Sequence, residues 1–381
     1  MSRRGRGEGT VSQRKDGRWE ARVSIDGQRF AYYGKTRQEV GQKLTASLKR
    51  HNDGLPQVAQ RQSVSAYLAQ WIEGVPSSVR PTTYRGYENM VRKHLIPRLG
   101  RITLAKLTPT DLTAMYSHML AAGLAPRTVG HAHRILGRAL REAEVSGIVA
   151  RNVCRLVHPP RVPHHEMRTL TAEQARALIA ADGDRFHALY VVALASGARQ
   201  GELLALRWSD VDMDAGTIRI TRTLICGARA GARKDNGVPQ VEWTFTEPKT
   251  ASSRRTIPIG RTAVEVLRRH RKAQAAERLL AGRAWHDGDL VFATTIGTPV
   301  NSSNLRTLYY ALLARSGLPR IRFHDLRHTA ATLLLEAGVH PRAVADRLGH
   351  ATPSLVMNTY GHVTERMQRE ATAAMDAVLG G

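Results

Sequence analysis

A proline-rich stretch, Val157-His158-Pro159-Pro160-Arg161-Val162-Pro163-His164-His165, interrupts this chain near its middle. Proline has no amide hydrogen to donate and pushes the residue before it out of helical geometry, so no helix can run through the segment. A second break lies at His51 to Arg61, a polar run containing Gly54-Leu55-Pro56. These breaks divide the 381 residues into three expected domains, at residues 1–55, 62–155 and 166–381. The adjacent His164 and His165 have no partner at metal-ligand spacing, so they read as linker residues.

The first segment has strand patterning around Val11, Trp19 to Val23 and Arg29 to Tyr33, with Asp16-Gly17 and Asp26-Gly27 as turn signals between them. A helical stretch follows from about Arg37 to Arg50. The second segment is helical. Ser63 can cap the run through Ile72, Thr82 can cap Tyr84 to Leu95, and Thr108-Pro109-Thr110-Asp111 sets a cap, a first-turn proline and an acid in series. Pro126-Arg127-Thr128 opens a further helix that reaches Glu144. In the third segment, Thr171-Ala172-Glu173-Gln174 is a capping box, and Phe186 to Ala195 is an apolar helix ending at Ser196-Gly197. Strands are expected near 217–224, 240–246 and 254–259, and the rest is helical. The expected fold class is multidomain α+β: a small β-rich N-terminal domain, a helical domain, and a mainly helical C-terminal domain with a small antiparallel sheet.

The formal net charge is +25 with a pI near 11.0. An excess of cations on this scale suits a polyanionic partner, because pairing with phosphates releases condensed counterions. A basic solubility surface, or arginine enrichment from GC-rich coding, would give part of the same composition. Candidate DNA contacts are Arg14, Lys15, Arg18 and Arg22 in the first segment. In the second they are Arg85, Arg92, Lys93, Arg127 and Arg134. For any one of these, a solvated helix or strand face is the competing reading. Two widely separated cysteines, Cys154 and Cys226, form no disulfide framework or zinc motif, which fits a reducing compartment. The N-terminus lacks the apolar core of a signal peptide, and no apolar run reaches membrane-spanning length. The expected location is cytoplasmic and nucleoid-associated, with no membrane partner.

The chemistry concentrates near the C-terminus. Phe323-His324-Asp325-Leu326-Arg327-His328 is followed by Leu348-Gly349-His350 and then Thr359-Tyr360-Gly361-His362. Upstream, Ser196-Gly197-Ala198-Arg199-Gln200-Gly201-Glu202 carries another arginine in a turn, and Lys249 lies in a turn between two expected strands. Attack at a phosphodiester without a metal needs cations on the phosphoryl oxygens, an oxygen nucleophile and a proton donor for the leaving oxygen. Spacing of three residues sets His324 and Arg327 one helical turn apart on a common face. Glu202 is placed to orient Arg199. There is no P-loop, no H-E-x-x-H and no paired-acid cluster, so the reading includes no metal and no cofactor.

In order, spacing and chemistry this set resembles the tyrosine recombinases, specifically the phage-type integrases. The resemblance implies catalytic roles for Arg199, Lys249, His324, Arg327 and His350, and the nucleophile's role for Tyr360. It also implies a 3′-phosphotyrosyl intermediate, a Holliday junction, and a homotetramer on double-stranded attachment sites. A host DNA-bending protein and an excision factor would be accessory partners. The three domains would then be arm-binding, core-binding and catalytic. Tyr309 and Tyr310 are competing phenols. The alternatives are a chromosome or plasmid resolvase or type IB topoisomerase-like enzyme of the same chemistry, and a DNA-binding regulator without catalysis. An apolar stripe from Val363 through Met367, Ala371, Met375 and Val378 could dock on a neighbouring protomer or on its own domain.

Overall fold

The computed structural model describes residues 9–25, 27–52, 62–163, 167–233, 239–247, 254–349, 372–373 and 375–380. The chain divides into two compact units, Met1–His164 and His165–Gly381.

The first unit contains two separate hydrophobic cores. Strands β1 (Thr10–Gln13), β2 (Trp19–Ile25) and β3 (Gln28–Gly34) form an antiparallel sheet in that order. Both hairpin turns use a glycine with positive φ, Gly17 and Gly27, as the Asp-Gly signals require. Strand alternation sends Ala21, Val23 and Ile25 inward against Val40 and Leu44 of helix α1 (Arg37–Asn52). It leaves Arg22, Ser24 and Tyr33 exposed.

The second core lies among five helices: α2 (Val64–Gly74), α3 (Pro81–Met90), α4 (Ile96–Leu99), α5 (Pro109–Ala121) and α6 (Pro126–Val145). The Ser63 hydroxyl caps α2 by accepting the Ala66 amide at 3.2 Å. Thr108 and Asp111 close a reciprocal capping box on α5. Helix α3 departs from the sequence expectation. Thr82 lies inside it and caps nothing, because Pro81, with φ already set for a helix, takes the first position after Arg80. The helical path then passes through a π turn at Val91–Leu95 before α4. Apolar positions of α6 recur at Val129, Ala132, Leu136, Ala139 and Ala143, the spacing that makes one buried face.

The second unit is built around α8 (His187–Ser196), whose residues are nearly all buried. Helices α7 (Ala172–Ala180), α10 (Gly260–Ala281) and α12 (Asp325–Glu336) pack on it. Helix α9 (Gln200–Leu203) follows directly, and α11 (Ser302–Arg315) and α13 (Pro341–Leu348) lie further along the chain. The Thr171–Gln174 capping box opens α7. Two small antiparallel sheets replace the one expected. One has the order β4 (Val211–Asp212), β5 (Thr217–Ile220), β8 (Arg255–Pro258); the other pairs β6 (Thr223–Arg233) with β7 (Pro239–Thr246). The expected strand at 217–224 therefore breaks at Thr221-Arg222, because its halves take different partners. Among the described residues no helix is long and apolar enough to cross a membrane.

Candidate active site

The apolar run of α8 must stop before it reaches solvent, and Gly197 stops it. Its φ of +63° closes the helix in the left-handed conformation, and its amide returns to the Ala193 carbonyl at 2.9 Å. A Cβ at this position would lie 2.5 Å from Leu348 Cδ2, so the end of α13 is packed directly against the turn. Arg199 follows two residues later at the start of α9. Gly201 lets α9 approach β6: a Cβ there would stand 2.6 Å from Thr223 Oγ1 and 2.9 Å from the Leu224 carbonyl.

Arg327 comes to the same turn from the other side. It lies in the first turn of α12, is 3% exposed, and its Nη1 donates to the Gly197 carbonyl at 2.8 Å. His324 sits at the N-cap of α12 and His328 lies one turn on, their ring centroids 5.2 Å apart and nearly perpendicular. Desolvation, then the Arg327 charge, holds His324 below the ordinary histidine value, and the Arg199 charge makes the smallest of the contributions. For His328, desolvation and then His324 push the value down to about 4. Both imidazoles are therefore neutral near pH 7 and can accept a proton. The start of α12 is fixed by Asp325, a buried acid whose carboxylate accepts the Arg322 amide at 2.8 Å and the Arg322 guanidinium at 2.7 Å.

Glu202 accepts both the Arg199 amide (2.9 Å, on Oε2) and the Arg199 Nη1 (2.8 Å, on Oε1). Its side chain is 4% exposed, whereas that of Arg199 is 39% exposed, so the carboxylate is walled in and the guanidinium reaches the surface. Burial alone would raise the Glu202 pKa, but the Arg255 charge and hydrogen bond, with backbone and side-chain hydrogen bonds from Arg199, hold it below the ordinary value.

Arg255 is not among the residues that the sequence singles out. Its side chain is 8% exposed, and Nη2 donates to Glu202 Oε2 at 3.0 Å while Nε donates to the Arg347 carbonyl at 2.7 Å. The signal was available in the alternation of β8 and the residue after it: Arg255, Ile257 and Ile259 share a face, and both isoleucines are buried. Arg347 was also missed. Its Nη2 donates to the carbonyls of Ala195 (2.6 Å) and Pro258 (2.7 Å), tying α13 to the ends of α8 and β8.

Of the predicted catalytic residues, Arg199, His324 and Arg327 are brought together. Lys249, His350 and Tyr360 lie outside the described residues, as does most of the apolar stripe from Val363 to Val378. Of the competing phenols, Tyr309 is fully buried, in ring contact with Tyr190 and Phe323, and burial pushes its pKa far up, so it cannot serve as a nucleophile. Tyr310 is half-buried beneath the Arg320 guanidinium, 4.5 Å from the ring centroid. The nine candidate DNA contacts are all exposed. Arg14 lies over the Tyr33 ring at 5.4 Å, and Arg18, Arg22 and Arg92 pair with Asp16, Glu20 and Glu88. The Arg18 and Arg92 pairs are solvent-exposed and screened, so those guanidiniums yield easily to a phosphate, whereas the Glu20 carboxylate beneath Arg22 is buried.

A helix-rich unit with small antiparallel sheets, with Arg199, Arg327 and His324 around one turn, is similar to the tyrosine recombinases, which cleave and rejoin DNA. The profile of the phage integrase family matches residues 168–367, and that of the phage integrase N-terminal SAM-like domain matches residues 63–120. An integrase of Saccharopolyspora erythraea is 30% identical, with 98% of this chain and 97% of the relative aligned. A XerC-like tyrosine recombinase of Caldanaerobacter subterraneus subsp. tengcongensis is also 30% identical, over 91% of each chain. The fold is shared with the Tn1549 transposon integrase solved in complex with transposon right end DNA, at a TM-score of 0.67 and 22% identity, over 81% of this chain and 99% of that one. The chain belongs to the phage integrase family.

Proposed function

We propose that this chain is the site-specific recombinase of a phage or mobile element, and that it cuts and reseals DNA through Tyr360. The observation that carries the reading is the meeting of Arg199 and Arg327 at the Gly197 turn, with His324 beside them. Two guanidiniums at one place give the bidentate, permanently charged donors that two non-bridging phosphoryl oxygens require.

In the proposed reaction the Tyr360 oxygen attacks the scissile phosphorus, and the bond to the 5′-oxygen breaks. Lys249 supplies the proton to that leaving oxygen. Arg199, Arg327 and His350 hold the phosphoryl oxygens as charge builds, and His324, neutral at pH 7, handles a proton near the attacking phenol. The product is a 3′-phosphotyrosyl bond and a free 5′-hydroxyl. Attack by a 5′-hydroxyl from the partner duplex reverses the step, so the bond energy is kept and no nucleotide is consumed. Exchange between two duplexes cuts four strands, two at a time through a Holliday junction. One tyrosine per protomer then calls for a homotetramer.

Residues 1–55 would bind arm-type sites through the exposed sheet face bearing Arg22, with Arg14, Lys15 and Arg18 at its edge. Residues 62–155 would bind the core site, and residues 166–381 would carry the chemistry. A host DNA-bending protein and an excision factor are the accessory partners this organisation would use.

The test is incubation with supercoiled plasmid carrying the DNA that flanks the chain's own gene, followed by a detergent quench. A covalent protein–DNA species that disappears in Tyr360→Phe, with duplex affinity retained, supports the reading. An undiminished adduct in that variant contradicts it.

A further inference from the structure

We infer that Arg255 is a positioning residue for strand cleavage, acting through Glu202 to set the guanidinium of Arg199. The inference rests on the catalytic reading of Arg199. Strand alternation turns Arg254 and Thr256 outward and Arg255 inward, so that its side chain runs beside Ile257 into the unit. The contrast between the two arginines is sharp. Arg254 is 58% exposed and pairs with Glu247, whereas Arg255 is 8% exposed and makes its contacts within the protein.

Those contacts join three pieces of the site. Glu202 Oε2 accepts both the Arg199 amide and Arg255 Nη2, and Glu202 Oε1 accepts Arg199 Nη1. Arg255 Nε binds the carbonyl of Arg347, two residues before Gly349, where α13 ends and the chain leads to His350. One buried cation thus compensates the carboxylate that aims Arg199, while its Nε bond lies at the end of α13. Without it, Glu202 would be a buried anion whose one partner among the described residues is the half-exposed Arg199. It would gain a proton more readily, and its hold on Arg199 would slacken. Such a residue, held within the unit by Glu202 and the Arg347 carbonyl, changes the rate of the chemical step and leaves DNA affinity alone.

The experiment is single-turnover cleavage by the full-length chain on the flanking-DNA duplex with which the wild type forms its covalent adduct. Arg255→Met, Arg255→Lys, Glu202→Gln, the Glu202→Gln/Arg255→Met pair and Arg199→Ala are compared, each checked for folding by circular dichroism. Arg255→Met should slow cleavage about 10–100-fold, the range typical of residues that orient a site's ligands. Duplex Kd and its salt dependence should be unchanged, and the rate should fall further as pH drops through a range where the wild type is flat. Arg255→Lys should recover part of the rate. In the Glu202→Gln background, where no buried charge needs compensation, adding Arg255→Met should cost less than about twofold, the non-additivity expected of residues that act as one unit.

Equal slowing in both backgrounds would overturn the inference, as would a weaker Kd with a salt slope reduced by about one, the mark of a lost phosphate contact. Wild-type cleavage by Arg255→Met alongside an inactive Arg199→Ala would overturn it alone. Wild-type cleavage by Arg199→Ala would instead remove the site reading beneath it.

Discussion

The Arg327 guanidinium donates to the carbonyl of Gly197 at 2.8 Å, joining the first turn of α12 to the turn that presents Arg199 across 130 residues of sequence. Gly197 itself adopts a left-handed conformation, with Leu348 packed against it. Gly197→Ala places a Cβ in a disfavoured backbone region and 2.5 Å from Leu348 Cδ2. The conformational cost alone is about 1–2 kcal/mol, and the displaced turn should lower cleavage as well. Urea melts and adduct yield measure both, and a variant with wild-type stability and cleavage would show that the turn does not hold the site together.

Arg199→Ala and Arg327→Ala should each slow cleavage by roughly 10²–10³-fold, the scale of losing one preorganised donor to a developing oxyanion. Duplex affinity should change far less than the rate. Quenched-flow cleavage beside a binding titration separates the two, and an effect confined to affinity would mark these arginines as ordinary phosphate contacts.

His328 predicts a specific acid sensitivity. Its pKa in the folded chain, about 4, lies below the ordinary 6.5. Between those values the unfolded chain binds the extra proton, so stability falls as pH drops from 6.5 toward 4 and is unaffected by this group above 6.5. At about 1.4 kcal/mol per pH unit, reduced by solvent screening of the partly exposed ring, the penalty is at most a few kcal/mol. Replacing His328 with Gln should narrow the difference between urea midpoints at pH 7 and pH 4.5. An unchanged difference would mean that His328 titrates normally.

Glu202 works in the same direction over a lower range. Its folded pKa lies below the ordinary 4.5, so its contribution is complete above 4.5 and is lost as pH falls through the folded value. Glu202→Gln should flatten the acid limb of the stability curve below pH 4.5, as read by urea melts. A limb as steep as the wild type's would place that acid sensitivity elsewhere.

What was legible in the sequence was mostly what is decided locally. The capping boxes at Thr108 and Thr171, the caps at Ser63 and Gly197, and the Asp-Gly hairpins depend on a few adjacent residues, and each forms as its pattern indicates. Thr82 misled because Pro81 competes for the same helix start. The break between β5 and β6 could not be read, since only the choice of β8 or β7 as partner decides it. At the site, the His324 and Arg327 spacing was visible, and so was the reach from Glu202 to Arg199. The convergence of Arg327 on Gly197 was not, because it depends on how α8 and α12 pack. Arg255 was hidden by its neighbours: in an arginine-rich turn, only strand alternation distinguishes a buried arginine from the exposed one beside it.

The most direct test of the account is to locate the DNA linkage itself. Covalent adduct is trapped on a nicked duplex of the flanking DNA, digested with nuclease and protease, and the nucleotide-bearing peptide is sequenced by mass spectrometry. The account predicts a phosphonucleotide on Tyr360, joined through its 3′-phosphate. A linkage on Tyr310, or on any residue other than Tyr360, would contradict it.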